Sequence, residues 1–284
     1  NEFPQITINE PEDGNSFNIK KINFNITVDE EVSLLEYADF SVQAPKFKKL
    51  CKNCDSANKK ISFNDGAHSV KIRATDFAGH STLSDPINFF IDTKEPKIVN
   101  IEPENGEIIS NGTIFKIKYT ETNLNEVKLV LESPDEMRLI SLEGCPGGIS
   151  KECNVSVDLT DFHNEVMVFY FNVSDIVSET MSDINVVSVD TVKPEITINS
   201  PEQNSVFDDK KVRLDLITNE HVAVLEFKDL NSIDPNFKKL CKDCDSYNKT
   251  KNFNVGPHSL IFRAIDHAGN SEESEGVNFI ITEV

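Results

Sequence analysis

Six cysteines in spaced pairs are the residues of this 284-residue chain best suited to chemistry. Cys51 with Cys54, and again Cys241 with Cys244, form Cys-x-x-Cys, while Cys145 and Cys153 stand further apart. Such pairs can close a short disulfide, supply half of an all-cysteine zinc tetrahedron, or run thiol–disulfide exchange. Redox exchange normally sits at the start of a helix in a βαβ setting, which this strand-rich sequence lacks. Attachment of a c-type haem needs His after the second Cys, where Asp55 and Asp245 stand. Zinc needs four ligands, so two pairs would have to meet, and the altered Cys145/Cys153 spacing spoils a shared metal geometry. An even count falling two by two along the chain favours three local disulfides, with zinc shared between pairs as the alternative. Oxidised cysteines in turn imply an extracellular or periplasmic compartment.

Carboxylates are the second resource. The chain has 48 Asp and Glu against 28 Lys and Arg, a formal charge of −20. They are scattered, with no basic stripe, which argues against nucleic acid as a partner. Asp92 and Asp190 lie in two similar stretches, with Asp76, Glu95, Asp175 and Asp266 in loops able to approach them. Hard oxygen ligands gathered there would suit Ca2+, the one cofactor the sequence raises, although no cofactor is expected if these carboxylates only cap turns. No Asp-x-Asp-x-Asp-Gly loop is present, and the other account is that these Asp residues cap solvated turns. For catalysis the sequence offers little: it contains no nucleophile elbow, phosphate loop or His-Glu-x-x-His. His68 and His258 recur at equivalent places, which suits a structural role, and no enzyme is expected.

These residues are positioned by a repeat. Pro4-Gln5-Ile6-Thr7-Ile8-Asn9-Glu10-Pro11 returns 190 positions later as Pro194-Glu195-Ile196-Thr197-Ile198-Asn199-Ser200-Pro201. The same offset carries Phe47–Cys51 onto Phe237–Cys241, and Arg73-Ala74-Thr75-Asp76-Phe77-Ala78-Gly79 onto Arg263-Ala264-Ile265-Asp266-His267-Ala268-Gly269. A diverged third copy opens at Pro96. Inside a copy the period is two: Ile22, Phe24, Ile26 and Val28 alternate with polar residues, as do Val70, Ile72 and Ala74. About seven such runs per copy predict an all-β chain, three tandem immunoglobulin-like β-sandwich domains in a linear array at 1–93, 94–191 and 192–284.

The Asp-Thr-x-x-Pro-x-Ile joints and the Arg-Ala-x-Asp-x-Ala-Gly turn resemble the tandem immunoglobulin-like or fibronectin-like repeats of bacterial and archaeal cell-surface proteins. The resemblance implies an extracellular location and a spacer, adhesive or lattice role, and no activity. The second copy departs from it, with Val173-Ser174-Asp175-Ile176-Val177 and no Gly at the turn.

Two surface features complete the reading. Glycosylation triplets begin at Asn25, Asn111, Asn154, Asn172 and Asn248; Asn25 and Asn172 fall on outward strand positions, suited to sugar or simply to solvent. Val166–Phe171 is apolar on both faces, and the alternation points Phe169 and Phe171 inward and Val168 and Tyr170 outward. Those two either meet another subunit or lie beneath a loop of their own domain. No apolar run spans a bilayer, so no membrane insertion by this segment is expected. The expected function is a structural unit of a filament, surface layer or stalk, its partners being itself or other surface proteins. An adhesin recognising a protein or glycan through its loops is the alternative, weakened by the absence of Trp.

Overall fold

The computed structural model describes residues 3–134 and 136–282. Its strands follow the alternation: Ile22, Phe24 and Ile26 are at most 2% exposed, while Asn23 and Asn25 between them are half-buried on the other face. In the first unit β1 (Ile6–Glu10), β3 (Lys21–Val32) and β6 (Cys54–Ser62) form one antiparallel sheet. The facing sheet runs β2 (Ser16–Phe17), β9 (Ile87–Ile91), β7 (Gly66–Thr75), β4 (Leu34–Asp39) and β5 (Lys48–Cys51), with β8 (Ser81–Leu83) on β7. That is nine strands where about seven were expected, because β2 and β8 are too short to leave a periodic trace.

The second unit repeats the plan. One sheet has β10 (Lys97–Glu102), β12 (Ile114–Glu121) and β15 (Gly148–Ser156). The other runs β11 (Ile108–Ile109), β18 (Asn185–Val189), β16 (Val166–Ser174), β13 (Glu126–Glu132) and β14 (Met137–Ser141), with β17 (Glu179–Met181) on β16. The third unit has β19 (Ile196–Ser200), β20 (Ser205–Phe207), β21 (Lys211–Asp229), β22 (Lys238–Asn252), β23 (Gly256–Ile265), β24 (Ser271–Glu273) and β25 (Val277–Ile281). Here β21 and β22 run unbroken from one layer to the other, so its strands join into one seven-stranded sheet. The first unit interrupts the same two paths, between β3 and β4 at Ser33 and between β5 and β6 at Lys52–Asn53.

Inward residues collect into three separate cores, centred on Phe24 and Phe89, on Phe115, Phe169 and Phe171, and on Phe262 and Phe279. Among the described residues there is no α-helix, only a 3-10 turn at Thr160–Phe162, and no helix able to cross a membrane. The cysteines are joined as Cys51–Cys54, Cys145–Cys153 and Cys241–Cys244. Each pair lies where the chain passes from one layer to the other, so it fixes a local crossing rather than a long loop.

His68 and His258 do structural work. His68 Nδ1 meets Asp39 Oδ2 at 2.7 Å and its Nε2 meets the Asn64 carbonyl at 2.8 Å. His258 repeats this with Asp229 at 2.6 Å and the Asn254 carbonyl at 2.8 Å. Burial opposes the charge on Asp39, but hydrogen bonds from Ser41, His68 and the Ser69 N–H outweigh it and hold this carboxyl below its usual range. A carboxyl lowered by folding adds stability above about pH 4, and that stability is lost as pH falls toward the folded value. Asp39→Asn is therefore expected to flatten the acid limb of the first unit's unfolding, followed by circular dichroism from about pH 5 to pH 2. An unaltered limb would place the acid sensitivity elsewhere.

Candidate metal centres at the joints

Strand alternation delivers a carboxylate to each joint in a place the core pattern reserves for apolar residues. On β12 the inward positions read Phe115, Ile117, Tyr119 and then Glu121. On β21 they read Val212, Leu214, Leu216, Thr218 and then Glu220. Each Glu thus sits at the end of its unit that faces the preceding one. Asp175 and Asp266 reach the same end from the residue after β16 and after β23, while Asp92 and Asp190 arrive from the residue after β9 and after β18.

Asp92, Glu121 and Asp175 bring one carboxylate oxygen each within 4.8 Å of the others, and Asp190, Glu220 and Asp266 do the same at the second joint. The first cluster is the drier: its members are 3%, 3% and 4% exposed. None of the three is paired with Lys, Arg or His among the described residues, and no side chain donates to Glu121, whose Oε1 takes the Asn123 N–H at 2.6 Å. Burial raises the Glu121 pKa, and the charges on Asp92 and Asp175 add to the rise. At the second joint burial likewise raises Glu220, helped by Asp190 and Asp266 and opposed by His163 and His267. His163 lies 3.6 Å from Asp190.

The turn-capping account of Asp92 and Asp190 holds for one oxygen of each. Asp92 Oδ1 accepts the Lys94 N–H and Asp190 Oδ1 the Val192 N–H, both at 3.1 Å. The other Asp92 oxygen accepts the Asn123 amide at 2.6 Å, so this residue already ties the first unit to the second. Across the second joint Asn270 donates to the Asp190 carbonyl at 2.8 Å. The glycine-free turn of the second unit is built by its acid: Asp175 Oδ1 takes the Val177 and Ser178 N–H groups at 2.6 Å.

Glu95 is exposed and belongs to neither cluster. Asp76 occupies the position of Asp175 at the other end of the first unit, where His80 Nδ1 meets it at 2.8 Å. Sequence reading missed Glu121 and Glu220, and their signal was a carboxylate standing where the period of two calls for a core residue. Three clustered carboxylate oxygens fit a hard divalent cation, which takes six to eight oxygens, the balance coming from backbone carbonyls or water.

The five sequons fall into three settings. Asn154 and Asn248 are exposed, and Asn25 and Asn172 are half-buried. The Asn111 amide is engaged at both ends, donating to Thr160 Oγ1 at 2.8 Å and accepting the Leu159 N–H at 2.7 Å. Val168 and Tyr170 do alternate with the fully buried Phe169 and Phe171, and are themselves half-buried.

No family model matches the chain, and no curated protein matches it in sequence. Among solved structures it is similar to the chicken CNTN1 FN1–FN3 domains, at 10% identity over 99% of both chains with a TM-score of 0.42. It is also similar to the fibronectin(III)-like modules of Clostridium thermocellum CbhA, at 17% identity over 66% of this chain and 94% of that one, TM-score 0.35. A tetra-tandem repeat from the extending region of a large adhesion protein gives 13% identity over 99% and 74%, TM-score 0.35. Likeness at this level says nothing of function. The sheet pairing described above defines the class: tandem immunoglobulin-like β-sandwiches.

Proposed function

We propose that the chain is a non-enzymatic extracellular building block, three sandwiches divided at 1–93, 94–191 and 192–284, serving a cell-surface filament, surface layer or stalk. Its working parts are the joints. A Ca2+ ion held by Asp92, Glu121 and Asp175, and a second by Asp190, Glu220 and Asp266, would bond the end of one unit to the face of the next and remove the hinge between them. The observation that carries this reading is the repetition of the carboxylate cluster at both joints, each drawing ligands from two units. The three disulfides support an oxidising compartment. Asn154 and Asn248, exposed on the outer strands β15 and β22, are the sequons best placed to carry sugar.

Small-angle X-ray scattering with added Ca2+, and again after chelation, tests the reading. The expected result is a rod whose maximum dimension shortens and whose profile broadens when the ion is removed. Identical profiles in both conditions would remove the cation from the joints. Negative-stain microscopy at physiological salt then separates ordered filaments or sheets from isolated three-bead rods.

A further inference from the structure

The outward side of the β13–β16 sheet in the second unit is apolar across four strands. Val130 lies between Leu139 and Tyr170 in one cross-strand row, and Val168 pairs with Val186 in the next. Met137 and Leu139 are 63% and 61% exposed, and Val130 reaches 2% although it faces away from the core. The fold does not require this. The positions of Val168, Tyr170 and Val186 are Ser69, Lys71 and Asn88 in the first unit and Ser259, Ile261 and Asn278 in the third, by strand register. Those units instead cover the sheet with a Glu–Arg pair, Glu36 with Arg73 at 2.6 Å and Glu226 with Arg263 at 2.6 Å. Each guanidinium stacks 3.7 Å from a ring, Phe47 or Phe237, supplied by the loop leading into the next strand. In the second unit Asn172 replaces the Arg, the tight β13–β14 hairpin replaces the loop, and the face is left open.

Charge says what covers it. Glu132 stands within the apolar row, paired by register with Met137 and Val168, and its carboxylate has no ion-pair or hydrogen-bond partner among the described residues. Residues 94–191 carry 18 Asp and Glu against 7 Lys and Arg, a net −11 of the chain's −20, whereas 1–93 carry −4 and 192–284 carry −5. The first unit has the complement, a cleft of about 610 Å³ beside β4 and β5 lined by Lys20, Lys21, Lys46 and Lys48 around Tyr37 and Val42. Asp39, which also lines it, is committed to Ser41 and His68. Lys21 and Lys46 have no carboxylate partner among the described residues, and Val42 is 51% exposed.

We infer that the apolar, acidic face of the second unit docks into the lysine-lined cleft of the first unit of a second copy of this chain. The inference rests on the structural reading above and names the partner that reading lacks. Such a contact is heterologous, since the two patches differ, so each bound copy still offers one free face and one free cleft and assembly can propagate. Apolar area at the centre with lysines at the rim also makes the association salt-sensitive.

Sedimentation velocity of the full chain over a concentration series tests it, with Glu132→Lys, with Lys46→Glu and Lys48→Glu together, and with all three changes combined. The three residues are exposed, and unaltered thermal unfolding of each variant verifies the fold. Wild type is expected to associate, each charge reversal to weaken association about tenfold or more, and the combined variant to recover most of it. Association that ignores either reversal, or reversals that add instead of cancelling, would overturn the docking mode. A wild type that stays monomeric across the series would also overturn it, while the rod's response to Ca2+, read separately by scattering, would stand or fall on its own.

Discussion

Replacing Phe169 with alanine is expected to melt the second unit alone. Phe169 is fully buried on β16 and meets Phe115 edge-on at 5.1 Å and Phe171 at 6.3 Å, so its ring joins both sheets of that core. Truncating such a ring costs about 3–5 kcal/mol, a large share of the roughly 5–15 kcal/mol that holds a domain together. For a unit of about 100 residues the melting temperature should drop by roughly 15 °C or more. Because the three cores are separate, differential scanning calorimetry should show one transition move and two stay in place. If the whole trace shifted together, the joints would be coupling the units into one cooperative body, and the division into three would be wrong.

The second large effect concerns Glu121. Its carboxylate is desolvated beside Asp92 and Asp175, and like charges a few ångströms apart in a site of reduced dielectric repel strongly. In chelator, Glu121→Gln removes that repulsion and should raise the melting temperature of the second unit. With Ca2+ at a hundredfold excess over its dissociation constant, the wild type should gain about 2.7 kcal/mol. The variant, short of a charged ligand, should gain little. The crossover, variant more stable without the ion and less responsive with it, is the signature of a cation site. Equal Ca2+ stabilisation of both proteins would mean the ion binds elsewhere; a loss of stability in chelator would mean that the carboxylate is held by bonds the glutamine cannot make.

How much of this was legible beforehand follows from the range of each signal. The repeat was read residue by residue because the first and third copies keep the same spacing, and the period-two runs around Phe24 and Ile72 predicted inward faces that are fully buried. The distribution of the cysteines favoured three local pairs while leaving shared zinc open, and the structure joins them pair by pair. Joint chemistry was half visible: Asp92 and Asp190 stood out in similar linkers, but Glu121 and Glu220, at inward places of their alternating runs, were passed over, and the structure buries the first and half-buries the second. The apolar face was seen through Val168 and Tyr170, since their strand violates alternation locally. Met137, Leu139 and Val186 belong to the same face through cross-strand pairing, and pairing is not written along a single strand. The lysine-lined cleft gathers residues from β3, β4, β5 and the loops between, and no spacing in the sequence announces it.

The short strands at the start of each unit have a mechanical consequence. β2, β11 and β20 each run parallel to the last strand of their own unit, β9, β18 and β25. When an array is stretched from its two ends, force enters a unit through its first strand, β1, β10 or β19, passes next to the short strand that follows, and leaves from the last. Parallel partners pulled in opposite directions slide along one another, so their bridging bonds are strained together instead of opening one at a time like a zip. A few residues of pairing in each unit therefore act as a latch against tension, and an array pulled from its two ends would resist up to a threshold and then yield one unit at a time.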